Sequence, residues 1–282
     1  MDLRAELHSL GFEASDIEPM GGGCVSSVYL IRLARGGRVV VKVDDGGDAD
    51  LAVEAAMLRY LAEQSHLPVP AVVHASDRLL VMEHISGESR FNKAAEHHAA
   101  ELLADLHGIT APNYGFEYDT LIGGLRQPNP AETSWLRFFR NHRIRYMANE
   151  ALRTGRLPAR IFDRIELFAE HLDEWLIEPK CPALIHGDVW TTNILCAGDR
   201  ITGFLDPAIY FAHSEIELAF TTLFHTFGPD FYDRYAERRA IAPGFFEMRR
   251  DIYNLYPLLV HVRLFGGTYV SSVARVLDRF GY

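Results

Sequence analysis

The sequence predicts an α+β fold of two unlike lobes, an antiparallel-sheet N-lobe over residues 1–85 and a mostly helical C-lobe over 86–282. Up to residue 85, short apolar runs alternate with Gly, Pro and Ser/Asp turns, the pattern of strands in hairpins. Beyond it, apolar residues recur at helical spacing in long segments. One stretch interrupts the helical half with a loop and a hairpin: residues 185–208, IHGDVWTTNILCAGDRITGFLDPA.

In chain order, Leu3, Leu7 and Leu10 lie at helical spacing, and Gly11 supplies a C-terminal cap, so a short amphipathic helix opens the N-lobe. A strand-like approach then reaches Gly21, Gly22, Gly23, Cys24, Val25, Ser26, Ser27 and Val28, a G-x-G-x-x-S-x-V turn before a strand at 28–33. Glycines there let backbone cover phosphates, although a plain hairpin turn has the same composition. Arg35, Gly36 and Gly37 turn the chain into a strand at 38–43, RVVVKV. Its Lys42 either snorkels from a sheet edge or points into a cleft to meet an anion. In the helix expected at 50–64, Leu51, Ala55, Leu58, Leu61 and Ala62 mark a buried stripe, and Glu54 falls inside it. A buried carboxylate needs a partner, for which Lys42 is nearest in chain order; at the stripe's edge Glu54 would instead be solvated. Pro68 and Pro70 lead to strands at 71–75 and 78–84, turned at Ser76 and Asp77, and LLVMEHISGE passes into a polar connector.

The C-lobe begins with a helix at 94–107, stopped by Gly108; its His97 and His98 read as surface residues. Residues 109–133 read as a long irregular segment, which in a compact protein is more often functional than idle. Trp135, Phe138, Phe139 and Tyr146 follow at roughly helical spacing, with Phe138 and Phe139 expected in the core. Helices are expected at 160–176, 214–224, 229–238, 243–265 and 269–280, with Pro229 and Pro243 in first-turn positions.

Within 185–208, a loop carries His186, Asp188 and Asn193, and residues 194–196 and 201–205 form the arms of a hairpin. If Ala197 faces Arg200 across a two-residue turn, Asn193 faces Phe204, two residues short of Asp206. Pro207 removes a ladder donor and stops the strand, which releases the Asp206 carboxylate from the sheet. Hard oxygen ligands converging there suit magnesium, and Asp188 just upstream is a candidate base. Taken locally, an ordinary polar loop and hairpin would read the same.

Composition bounds the partners. A formal net charge of −10 and a pI near 5.7 argue against nucleic acid or an anionic membrane as the main partner. Mean hydropathy near zero, no secretory pattern at the N-terminus and no membrane-spanning run make the cytoplasm the expected location. Cys24, Cys181 and Cys196 show neither disulfide nor zinc spacing.

The ordered set is more specific than its parts. Glycine turn, strand Lys42, helix Glu54, connector at Glu83, His84 and Ile85, helices, then Asp188, Asn193 and Asp206 follow the order of a phosphoryl-transfer template. H-R-D, D-F-G and A-P-E are missing, and no segment after Asp206 is long enough for a peptide groove. A small-molecule kinase is therefore expected.

GGGCVSSVY, LIHGDVWTTNIL, LDPAIYFAHSEIELAF and LYPLLVHVRLFGGTY resemble the fructosamine kinase (ketosamine 3-kinase) family, relatives of the aminoglycoside phosphotransferases in the protein-kinase-like fold. The resemblance spans nearly the whole chain, and Trp190 and Cys24 separate it from aminoglycoside and choline kinases. It implies ATP and Mg2+ as cofactors and phosphorylation of the 3-hydroxyl of a ketosamine, free or protein-bound, as in a deglycation or sugar-amine repair activity. It further implies that Lys42 and Glu54 orient the phosphates, with Gly21, Gly22, Gly23 and Ser26 over them and Glu83, His84 and Ile85 on the adenine. Asp188 is then the base, Asn193 and Asp206 bind the metal, and Trp190 lies against the sugar. Ser26 and Ser27 depart from the family pattern, where an acid or Gly is common at the second position. Cys24 is expected to be a reachable thiol, either redox-sensitive or a spectator. The rival expectations are a kinase of another small alcohol and a non-catalytic nucleotide-binding scaffold.

Overall fold

The computed structural model describes residues 2–21, 26–44, 46 and 50–282. Helix α1 (Leu3–Ser9) is capped by the Asp2 carboxylate, which accepts the Arg4 and Ala5 N–H groups. It precedes strands β1 (Ala14–Met20), β2 (Ser27–Leu33) and β3 (Arg38–Val43), helix α2 (Leu51–Gln64), and strands β4 (Val72–Ala75) and β5 (Leu79–Glu83). The five strands form one antiparallel sheet in the order β1-β2-β3-β5-β4.

Side chains alternate across a strand, and here the alternation decides where Lys42 points. Val39, Val41 and Val43 of β3, with Leu79 and Val81 of β5, pack against Leu7 of α1 on one face. Leu80 and Met82 face Leu51, Ala55 and Leu58 of α2 on the other. Lys42 pairs in register with Leu80 and so shares the α2 face.

The helical half contains α3 (Lys93–Leu106), a hairpin of β6 (Thr120–Ile122) and β7 (Leu125–Gln127), α4 (Trp135–Phe139), a π-helix at Arg140–Arg145, α5 (Tyr146–Arg153) and α6 (Ala159–Glu170). Next come β8 (Ala183–Ile185), β9 (Ile194–Ala197), β10 (Arg200–Phe204), β11 (Tyr210–Ala212), α7 (Glu215–Leu223) and α8 (Pro229–Arg238). A π-helix at Phe245–Arg249, α9 (Arg250–Tyr253), α10 (Leu255–Phe265) and α11 (Thr268–Arg279) complete the chain. Trp135, Phe138 and Phe139 are fully buried at the centre of this core, as expected for the two phenylalanines.

Three expectations are corrected. The segment at 109–133 is not wholly irregular, since it holds β6 and β7. The helix expected at 160–176 stops at Glu170 and is followed by a 3-10 turn at Leu172–Glu174. The helix expected at 243–265 is broken: Gly244 sits at φ 85, in the left-handed region that glycine tolerates, so Pro243 lies outside the helical turn that follows. Pro229 does open α8. Among the described residues no helix is long and apolar enough to cross a membrane.

Candidate active site

Lys42 Nζ donates to Glu54 Oε1 and to Asp206 Oδ1, each at 2.6 Å. Its own strand period brings it to Glu54; the hairpin brings Asp206 from 164 residues away. Burial draws the Lys42 pKa down, but the two carboxylates outweigh burial and hold the ammonium protonated above its ordinary value.

Asp206 follows β10 at φ 52, a left-handed conformation that costs a non-glycine residue about 1–3 kcal/mol. That bend and Pro207 lift its carboxylate off the ladder, as the sequence suggests. The hairpin register, however, differs from expectation. Ala197 faces Arg200 and Cys196 faces Ile201, but a bulge at Thr202 then pairs Leu195 with Gly203 and Ile194 with Phe204. The extra residue puts Asn193 opposite Leu205, whose N–H donates to the Asn193 carbonyl at 2.8 Å, rather than opposite Phe204. Asn193 thus sits one residue nearer Asp206.

Asn193 Nδ2 donates to Asp188 Oδ2 at 2.8 Å and to the Asp188 carbonyl at 3.1 Å. Among the described residues its amide oxygen accepts no hydrogen bond, and Asp206, next in the chain to the Leu205 that pairs with Asn193, has a half-exposed carboxylate. Two hard oxygen donors with open positions fit a cation shared with water and phosphate, and among the described residues no cluster of three His, Cys, Asp or Glu would cage one alone. Burial, then the charge of Asp206, pushes the Asp188 carboxyl up to about 8, against the Asn193 hydrogen bond.

The loop is closed across its base. Ala208 N–H donates to the His186 carbonyl at 2.7 Å, and β8 pairs with β11 through Ile185 and Tyr210. Gly187, at φ 86, faces the Ala208 carbonyl so closely that a Cβ would collide with it; only glycine fits there.

The sequence reading missed the residues that hold this loop from behind. Glu217 of α7 accepts the Gly187 N–H at 2.6 Å through Oε1 and meets His107 Nε2 at 2.8 Å through Oε2. His107 Nδ1 in turn meets the Tyr235 hydroxyl at 2.6 Å. Although burial disfavours its charge, Glu217 is held below its ordinary pKa by His107. All three are buried. An acid in the first turn of α7 was visible in the sequence, but its partner lies 110 residues away.

The connector lies on the hairpin. Glu88 and Cys196 exchange backbone hydrogen bonds at 2.8 and 2.9 Å, the Thr202 hydroxyl donates to the Ser86 carbonyl, and Ile85 covers Gly203, where a Cβ would clash with it. The Glu83 N–H is already given to the Ala71 carbonyl at 2.9 Å, which leaves the backbone of His84 and Ile85 for a ligand. Gly21 is exposed and Ser26 half-buried, while Gly22, Gly23 and Cys24 lie outside the described residues.

Beside Asp188 opens a small, largely apolar pocket, walled by Ile122, Ile185, Ile216, Phe220 and Val260 with Tyr210, Tyr256 and His261 among them. Trp190 does not line it directly. Its ring packs on Phe224 at 5.3 Å, and Phe224 packs on His261 at 5.2 Å. Of the surface histidines expected on α3, His98 is engaged, accepting the Ile201 N–H at 3.0 Å.

The fructosamine kinase family model matches residues 2–280. The chain belongs to the fructosamine kinase family. A candidate ketoamine kinase of Vibrio parahaemolyticus is 31% identical to this family member over 274 residues, covering 92% of this chain and 90% of the relative. A chloroplastic protein-ribulosamine 3-kinase of Oryza sativa subsp. indica is 31% identical over 275 residues, covering 94% of this chain and 78% of the relative. The crystal structure of a candidate fructosamine-3-kinase from Thermobifida fusca superposes with a TM-score of 0.86 at 30% identity, covering 99% of both chains. An aminoglycoside phosphotransferase in a ternary complex with ADP and hygromycin B shares the fold, with a TM-score of 0.69 at 15% identity over 99% of this chain and 98% of the other. This fructosamine kinase family member therefore has the bilobal α+β kinase-like fold expected of it.

Proposed function

We propose that the protein is an ATP-dependent ketosamine 3-kinase, which transfers a phosphoryl group to the 3-hydroxyl of a fructosamine or ribulosamine carried on an amine. The observation that carries this is the convergence of Lys42, Glu54 and Asp206 within 2.6 Å contacts, beside the Asp188 and Asn193 pair. An ammonium, two hard oxygen donors and a carboxylate of raised pKa at the mouth of a small pocket are the parts that phosphoryl transfer requires.

In this reading residues 1–85 bind the nucleotide and 86–282 carry the catalytic loop and acceptor site. Glu54 holds Lys42 in place, and Lys42 offsets charge on the phosphoryl oxygens. Gly21, Gly22, Gly23 and Ser26 cover the phosphates, and the backbone of His84 and Ile85 receives the adenine, the Glu83 N–H being already bonded to Ala71. Magnesium, bound by Asn193 and Asp206, supplies further positive charge there when present. Asp188 takes the proton of the attacking hydroxyl, while Asn193 holds one carboxylate oxygen so that the other faces the pocket. Trp190 supports the sugar side of the site. The cytoplasm, where ATP is supplied, is the setting.

The test is ATP consumption with ribuloselysine, fructoselysine and their protein-bound forms, against an aminoglycoside, choline and homoserine. Ketosamine-dependent ADP release with a phosphate on the sugar's third carbon is expected. Faster turnover on any of the other alcohols would overturn the substrate class.

A further inference from the structure

His261 stands in the wall of the pocket that holds Asp188 and has no part in the scheme above. Its Nδ1 lies 2.7 Å from the Pro257 carbonyl one turn earlier in α10. A carbonyl oxygen only accepts, so Nδ1 must carry hydrogen. Burial lowers the pKa of this ring, so it is neutral at neutral pH and its second nitrogen, Nε2, bears a lone pair. Among the described residues Nε2 has no hydrogen-bond partner. The ring is steadied by Phe224 at 5.2 Å and Tyr269 at 4.8 Å.

Most other polar side chains of the pocket have partners. The Tyr256 hydroxyl donates to Gln127 at 2.7 Å, Glu217 is engaged by Gly187 and His107, and Tyr210 lies under the Arg143 guanidinium at 3.8 Å. Besides the weaker tyrosine hydroxyl oxygens, the pocket therefore offers an acceptor molecule Asp188 and His261 as receivers of hydrogen bonds, among apolar walls. A substrate with a single hydroxyl satisfies only one of them.

We infer that His261 Nε2 accepts a hydrogen bond from a hydroxyl other than the one phosphorylated, which makes this site selective for polyhydroxy chains. The inference rests on the kinase reading above, because it needs Asp188 to engage the reacting hydroxyl. A site built to bond a hydroxyl discriminates strongly against the analogue that lacks it.

The test compares wild type, His261→Leu and His261→Gln on fructoselysine and on its analogues with one non-reacting hydroxyl replaced by hydrogen. His261→Leu should lower kcat/KM for fructoselysine about 10-fold, the effect of one lost hydrogen bond, with KM for ATP unchanged. His261→Gln, whose side-chain oxygen can still accept, should recover most of the loss. One deoxy analogue should be a poor substrate for wild type yet no worse than fructoselysine for His261→Leu, the coupling expected of direct partners. Equal activity of His261→Leu and wild type, or losses that add for every analogue, would overturn the inference. If His261→Leu does not fold, the same analogue comparison on His261→Gln decides, since a full penalty for one analogue supports the bond and none refutes it. A wild type inactive on every ketosamine would overturn the functional reading itself, a result distinct from an active wild type indifferent to His261.

Discussion

Glu217 Oε1 accepts the Gly187 N–H at 2.6 Å, so a carboxylate on α7 holds the backbone immediately before Asp188. Its other oxygen is bonded to His107, and both side chains are fully buried. Glu217→Ala would leave Gly187 and His107 unpaired in the interior, and a stability loss of about 3–5 kcal/mol is expected, measured by urea unfolding. Glu217→Gln keeps the shape and one acceptor and should cost clearly less. Equal and small losses for both would show that the bond is dispensable.

Asp188→Asn keeps size but removes the basic oxygen. A fall in kcat of about 10² to 10⁴ is expected, with ATP affinity little changed in a binding titration. Turnover near that of wild type would exclude Asp188 as the base.

The same residue gives a pH signature in metal-free protein. Its carboxyl is raised from 3.8 to about 8 by burial and Asp206, so the folded state binds a proton that the unfolded chain has released. The associated stability is complete below about pH 4 and is lost as pH rises through about 8. Thermal unfolding from pH 5 to 9 should show wild type losing Tm faster than Asp188→Asn. Parallel curves would contradict the raised value.

Asp206→Ala removes the proposed anionic ligand of magnesium while leaving the Lys42 to Glu54 contact in place. Turnover should vanish in a protein that remains folded by circular dichroism, and calorimetry should show ATP binding that no longer responds to magnesium. Magnesium-dependent ATP binding retained at wild-type strength would place the metal elsewhere.

Trp190→Ala should raise the ketosamine KM and lower kcat/KM by about 10- to 100-fold, with the KM for ATP moving much less. Among the described residues the ring is linked to the pocket wall through Phe224 and His261, so the loss would come from a loosened wall as well as from the proposed sugar contact. If both KM values rise together, Trp190 is a general support.

Local periodicity made the N-lobe readable. Lys42 and Glu54 were legible as a pair because one interrupts an apolar strand and the other an apolar helical stripe, and each needs a partner. The loop of Asp188, Asn193 and Asp206 was legible from spacing. The bulge at Thr202 was not, because nothing in RITGF distinguishes a continuous strand from one with an extra residue. Strands as short as Thr120–Ile122 and Leu125–Gln127 fall below what alternation can signal. Glu217 and His107 escaped notice because buried polar partners far apart in sequence leave no local pattern.

The bond between Ala208 N–H and the His186 carbonyl ties the ends of a loop that contains Asp188, Asn193 and Asp206. A loop tied at its base in this way is expected to open and close as one cooperative unit rather than residue by residue. Amide hydrogen exchange should then report a shared protection for the Ala208 N–H, which closes this loop, and the Leu205 N–H, which bonds the Asn193 carbonyl inside it. The candidate base and the two candidate metal donors would leave their working positions together, so the fraction of competent molecules would be set by one opening equilibrium rather than by three.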